Sequence, residues 1–181
     1  MWTTPLLLSF MGVHLAREPL TEDLWCEVLP LLFAHWKEIA HYQDIELTPD
    51  RGRYATMEKA GLLRLFTART PEGLLVGYAC FTVAPSLHYA QSIQAQQDVV
   101  YVQPNMRGAI GRDFLRFCTA ELAGEGVQVI YHHVKAKHDF GPLLERDGFE
   151  LVDRIYAKRL DLQAPRPERR ERAMRAVGSA G

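Results

Sequence analysis

Residues 99–112, VVYVQPNMRGAIGR, decide how the chain is read. Val99, Val100, Tyr101 and Val102 form a β-branched and aromatic run without polar alternation, as expected of a strand covered on both faces. Pro104 ends it, because proline has no N–H to give to a sheet ladder. Gly108 and Gly111 flank Ala109 and Ile110, after which Phe114, Leu115, Cys118 and Leu122 recur at helical spacing. The stretch therefore predicts a buried strand, a glycine-containing turn and a helix. Free N–H groups and the positive dipole end of such a helix favour a phosphate, and glycine lets it approach closely. Arg107 and Arg112 add positive charge to the same corner. Glycines between a strand and a helix also serve as plain turn residues, so this pattern alone does not identify a ligand.

Outward from this stretch, the flanking segments give a consistent order. Residues 6–15 read as a first strand. Glu22 and Asp23 mark the first turn of a helix in which Leu24, Val28 and Leu32 repeat at i+4, with Pro30 expected to kink or split it. Its tryptophans read as core. Asp50 is a candidate N-cap for a short helix to Lys59, with Gly61 as its stop. Residues 62–69 and 74–83 predict an antiparallel hairpin about Thr70-Pro71-Glu72-Gly73, and Gly77 within it suggests a bulge or a close backbone approach. Residues 85–97 read as a polar loop carrying His88 and Tyr89. Residues 127–135, VQVIYHHVK, predict a strand with Tyr131 and His133 on one face and His132 on the other. Asp139 and Pro142 start a last helix that Gly148 ends, and residues 149–160 read as a closing strand or hairpin.

A chain of 181 residues suits one well-buried domain. With 48% hydrophobic and 24% charged residues it has the composition of a soluble globular protein. A net charge of −1 argues against a body that coats nucleic acid or an anionic membrane. The three cysteines Cys26, Cys80 and Cys118 sit in apolar patterns without a C-x-x-C pair, so they read as reduced core residues. The apolar run near the N-terminus has no basic residue before it and no small-residue cleavage site after it. It is also far short of the roughly 20 residues of a membrane span, which places the protein in the cytoplasm. The domain is expected over residues 1–161. Residues 162–181, with five arginines, two glutamates and two prolines and few apolar anchors, read as a disordered tail.

The pattern V-x-P-x-x-R-G-x-x-G opening a helix, carried by Val102, Pro104, Arg107, Gly108 and Gly111, resembles the GCN5-related N-acetyltransferases. So does the later helix of Leu143 and Leu144 ending in Gly148-Phe149. The segments YHHVK and DFGPLLERDGFE look closest to phage-encoded members. The resemblance implies an α/β (α+β) fold: a mixed, largely antiparallel sheet with a central βαβ crossover and helices on both faces. It also implies acetyl-CoA as co-substrate, its pyrophosphate held at residues 107–112 (Arg107, Gly108, Ala109, Ile110, Gly111, Arg112) and its arm along a strand containing Tyr101 and Val102. That strand splays from its neighbour, and an amine attacks directly in a ternary complex. A main-chain N–H near Tyr101 or Val102 would stabilise the oxyanion.

Two positions depart from the family pattern. Ile110 stands where a second glycine is expected, with Gly111 one residue late, and Leu144 stands where many members carry a tyrosine acid. Tyr131 or Tyr156 are alternative donors.

Candidate catalytic residues are His133, His132, Asp98 and Tyr131. A histidine titrates near neutrality and can accept a proton from an ammonium; Asp98, at the strand mouth, can orient an amine. Either histidine could instead be a hydrogen-bonded structural residue. His88 and Tyr89 are candidate acceptor contacts, because loops carried by a rigid scaffold often bind. The histidines fit no zinc spacing, so no metal is expected. The expected partner is a small-molecule or peptide amine, with no membrane or nucleic-acid partner and a homodimer left open. A non-catalytic CoA-binding or protein-interaction module, phage-associated in origin, is the alternative. A third reading takes G-A-I-G as a KH-type loop, but such a loop should join two helices.

Overall fold

The computed structural model describes residues 8–10 and 12–161. Residues 162–181, Leu6 and Leu7 lie outside the described residues. One compact unit runs through Phe149, and the chain from Glu150 forms a second.

The first unit contains strands β1 (Leu8–Phe10), β2 (Val13–Arg17), β3 (Leu63–Arg69), β4 (Leu75–Pro85), β5 (Ile93–Val102) and β6 (Val129–Tyr131). Its helices are α1 (Glu22–Ile39), α2 (Arg51–Lys59), α3 (Arg107–Gly124) and α4 (Gly141–Arg146). Among the described residues the strands form one sheet of six in sequence order. Every neighbouring pair is antiparallel except β5 and β6, which the α3 crossover makes parallel. The fold is therefore α+β, with a mixed sheet and a βαβ unit at one end.

Alternation along the strands gives the sheet two apolar faces. One face joins Phe66, Phe81 and Val102 to Ile110, Phe114 and Phe117 of α3. The other joins Leu63, Leu65, Tyr78 and Tyr101 to Leu24, Trp25, Val28 and Leu31 of α1. Fully buried side chains such as Phe66, Phe81 and Phe114 contribute about 1.5–3 kcal/mol each. The start of α1 is tied to the sheet by Arg69, which donates to Glu18 at 2.7 Å and to Glu27 at 2.6 Å. Burial alone would raise the Glu18 carboxyl. The hydrogen bonds from Arg69 and Thr67 outweigh it and hold the group below the usual carboxylate range.

Several expectations are corrected here. The first strand is a hairpin of β1 and β2, turned by Gly12 at φ +81°. Pro30 does not split α1, and Cys26 on that helix is exposed rather than core. The expected polar loop shrinks to residues 86–92, because Ile93 to Gln97 pair with β4. The signal was alternation, with Ala95 and Gln97 inward and Gln96 and Asp98 outward; the glutamines masked it. β6 is three residues, far shorter than the span 127–135. Residues 149–160 contain no strand. Gly77 is a close approach, since a Cβ there would sit 3.1 Å from the Tyr101 carbonyl oxygen.

Tyr78 offers a stability test. Its hydroxyl is buried with no hydrogen-bond partner among the described residues, and the residue is 3% exposed. A buried unpaired hydroxyl costs free energy that phenylalanine does not incur. Tyr78→Phe is expected to raise stability by up to about 1 kcal/mol, read as a higher denaturant midpoint. A loss of stability would show that the hydroxyl has a partner in solution.

Candidate active site

The site begins with a defect in β5. The register moves from Cys80↔Val99 to Phe81↔Gln97, so Asp98 is an extra residue without a partner on β4. On the other side, β5 pairs with β6 only from Gln94↔Val129 to Gln96↔Tyr131. Beyond these pairs the two parallel strands part, β5 continuing to Val102 while the other chain segment leaves the sheet. A cavity of about 360 Å3 lies at this divergence. Asp98, Val100, Tyr101 and Val102 line it from β5, and His133, Lys135 and His138 from the segment after β6. Phe140, at the N-cap of α4, and Leu143 within it close the cavity, with Gly111 and Leu115 from α3 and His35 and Glu38 from α1.

One end of the cavity abuts the start of α3. The helix has no side-chain cap and no acidic residue in its first turn, and its ladder begins with Ile110 N–H donating to Met106 O at 3.1 Å. The N–H groups of the first turn therefore point out of the helix. Contrary to expectation, Gly108 and Gly111 are helical residues, and the turn is residues 103–106. Neither glycine has a positive φ, so their use is the missing side chain. A Cβ at either position would meet nothing within 4 Å. Ile110 is 1% exposed and packs in the core, so the position where a cradle glycine was expected belongs to the inward face of α3. A bare helix start beside open space fits a pyrophosphate.

Arg107 is fixed at this end. It donates to the Val102 carbonyl at 2.8 Å and to Glu38 at 2.6 Å, and its guanidinium lies 5.5 Å from the centre of the Tyr101 ring. Arg112 instead pairs with Asp147 at 2.7 Å and does not line the cavity.

The two adjacent histidines separate as strand geometry requires. His133 is exposed at the cavity. His132 does not line the cavity; its Nδ1 lies 2.6 Å from Oε1 of Gln97, which does, an arrangement in which the ring donates. Phe81, Phe140 and Phe149 surround it edge-on. His132 is hydrogen-bonded and, unlike His133, is not among the residues that line the cavity. Burial, helped by the neighbouring His133, lowers its pKa to about 4.

Other expected residues lie elsewhere. Tyr131 ends β6 and does not line the cavity; His88 and Tyr89 sit in the loop after β4, also away from its lining. That loop is closed by Ser86, whose Oγ accepts from both residues' N–H groups at 3.3 Å. Leu144 is buried in α4, so Leu143, not Leu144, faces the cavity. Tyr156 belongs to the second unit.

Sequence reasoning missed His35, Glu38 and Tyr54. His35 continues the stripe of Leu24, Val28 and Leu31, and a histidine and a glutamate at stripe positions signal that α1 overruns the apolar sheet. The His35 ring lies 5.0 Å from that of Tyr101. Burial lowers its pKa to about 4, against Glu38 and with the charges of Arg107, Lys135 and His138.

His35 and His132 give the fold a pH dependence with a defined sign. Both stay neutral in the folded protein down to about pH 4, whereas an unfolded histidine takes a proton near 6.5. Their contribution is complete above the unfolded value and is lost as pH falls from about 6.5 to 4. The melting temperature should fall through this window, and His132→Phe with Gln97→Leu should flatten the slope. An unchanged slope would contradict the assignment.

No known family model matches this sequence, and neither does any curated protein. Solved structures do match. An aminoglycoside acetyltransferase from an uncultured soil metagenomic sample superposes with a TM-score of 0.61 at 15% identity, over 82% of this chain and 97% of that one. A transcriptional regulator from Bacillus halodurans gives 0.65 at 18% identity, over 81% and 99%. A predicted acetyltransferase from Clostridium acetobutylicum, solved with acetyl-CoA, gives 0.61 at 16% identity, over 84% and 98%. With the splayed parallel pair, the bulged strand and the uncapped helix start, these likenesses show that the chain has the fold of the GCN5-related N-acetyltransferases.

Proposed function

We propose that this protein is an N-acetyltransferase that moves acetyl from acetyl-CoA to a primary amine, by direct attack in a ternary complex. The observation that carries the reading is the cavity at the divergence of β5 and β6, continuous with the uncapped start of α3. Acetyl-CoA, when bound, supplies an acyl group activated as a thioester. The first-turn N–H groups of Arg107, Gly108 and Ala109 would hold its pyrophosphate, and Gly111 leaves room for it. Beyond Gln96, the edge of β5 faces the cavity instead of a strand, which makes its main chain at Tyr101 or Val102 the source of an oxyanion donor. His133 takes the proton from the acceptor ammonium, freeing the lone pair for attack. Phe140 and Leu143 supply an apolar wall without a hydroxyl.

The acceptor class is a small-molecule or peptide amine, in keeping with the aminoglycoside acetyltransferase among the structural neighbours. The test is acetyl transfer to a panel of spermidine, kanamycin and tripeptides bearing alanine or lysine. His133→Ala is expected to lower kcat by about 10²- to 10⁴-fold with acetyl-CoA affinity unchanged. Unchanged kinetics would remove His133 from the mechanism.

A second reading, a CoA-binding module without turnover, is favoured by the absence of a hydroxyl from α4 at the cavity and by the regulator among the neighbours. Binding of acetyl-CoA with no transfer to any amine of the panel would select it.

A further inference from the structure

Asp98 presents an unusual arrangement at the cavity. As the extra residue of the β5 bulge it has no cross-strand partner, and its side chain lines the cavity. Tyr54 of α2 donates its phenolic hydrogen to Asp98 Oδ2 at 2.8 Å. Among the described residues no lysine, arginine or histidine forms an ion pair with this carboxylate. One oxygen is therefore held by a neutral donor, and the lone pairs of Oδ1 remain for a ligand.

The donor is itself held in place. The Tyr54 ring packs 5.7 Å from Trp25, and the Arg51 guanidinium lies 5.6 Å from the same indole. Tyr54 is half-buried and packs at the edge of the core cluster of α1 and the sheet, which fixes where its hydroxyl meets Asp98. Burial and the Asp98 charge both keep the phenol protonated, as a donor must be.

We infer that Tyr54 is a positioning residue that fixes Asp98 so that its free oxygen receives the acceptor's ammonium, which makes the acceptor a cationic primary amine recognised at the α2 side of the cavity. The inference rests on the transferase reading. In the ternary complex Asp98 holds the ammonium and His133 removes one of its protons. The nitrogen lone pair then bonds to the acyl carbon, the carbon–sulfur bond breaks with its electron pair going to sulfur, and the second nitrogen proton passes to the departing thiolate, giving the amide and free CoA thiol. Asp98 and Tyr54 move no proton.

The experiment uses the full chain and the best acceptor from the panel of spermidine, kanamycin and tripeptides. Tyr54→Phe keeps the ring on Trp25 and removes only the hydroxyl. It should raise the acceptor KM about 10-fold, with kcat and acetyl-CoA affinity little changed. Asp98→Asn should raise KM about 100-fold, and adding Tyr54→Phe to it should have no further effect, because Tyr54 acts through the carboxylate. An unchanged KM in Tyr54→Phe, or effects that multiply in the double variant, would overturn the inference while leaving transferase activity in place. No acetyl-CoA binding and no transfer by the unsubstituted protein would overturn the transferase reading, and this inference with it.

Discussion

Gly111→Glu is expected to weaken acetyl-CoA binding by about 100-fold without harming the fold. The position is in the second turn of α3, lines the cavity, and has nothing within 4 Å of where a Cβ would stand. Glutamate is a better helix former than glycine, by roughly 0.5 kcal/mol, and a carboxylate near a helix N-terminus interacts favourably with the dipole. The variant should therefore melt at the same temperature as the parent or higher. Its carboxylate would occupy and repel the site of the pyrophosphate, so affinity should fall on the order of 100-fold, about 2.7 kcal/mol. Gly124→Ala, at the far end of the same helix and equally open, should leave binding intact. Loss of binding in both variants, or in neither, would detach the cofactor site from the start of α3.

Phe66→Ala should act on the fold alone. Phe66 is 0% exposed at the centre of the α3 face, with its ring 5.9 Å from Phe81 and 6.0 Å from Phe117, both edge-on. Deleting a buried phenylalanine removes transfer free energy and leaves a cavity, at a cost of about 3–5 kcal/mol. Total stability of a domain this size is roughly 5–15 kcal/mol, so the loss takes a large share of it. Denaturant titration should show a much lower midpoint with the same slope. A cost below about 1 kcal/mol would mean that the sheet and α3 are not packed as described.

The elements legible in the sequence were those whose signals are local. Asp50 caps α2 by accepting the Arg53 N–H at 3.0 Å, and Gly73 turns the β3–β4 hairpin at φ +89°. The stripe of α3 and the parallel crossover were equally plain. β5 was half hidden because its inward Gln97 is a polar residue whose partner, His132, comes from a distant segment. β6 was overextended because nothing local reports where two parallel strands diverge.

The same distinction applies to the site. Asp98, Tyr101, Val102, Arg107, Gly111 and His133 were named from the sequence and line the cavity. Which of His132 and His133 meets the cavity depends on what α4 and its aromatic neighbours cover, and the Gln97 partner of His132 is visible only in three dimensions. Tyr54 was beyond reach because its partner is a bulged residue, and the bulge follows from the register between β4 and β5. The glycines were recognised, but not that they are helical. Ile110 explains why: its side chain is buried in the core from within α3, so the helix is already under way between the two glycines.

Whether acetyl-CoA binds at the start of α3 is decided by calorimetric titration of acetyl-CoA into the purified protein. One site per chain is expected, with a dissociation constant on the order of micromolar that is weakened about 100-fold in Gly111→Glu and retained in His133→Ala. Absence of binding in the unsubstituted protein, or undiminished binding in Gly111→Glu, would contradict binding at that helix start.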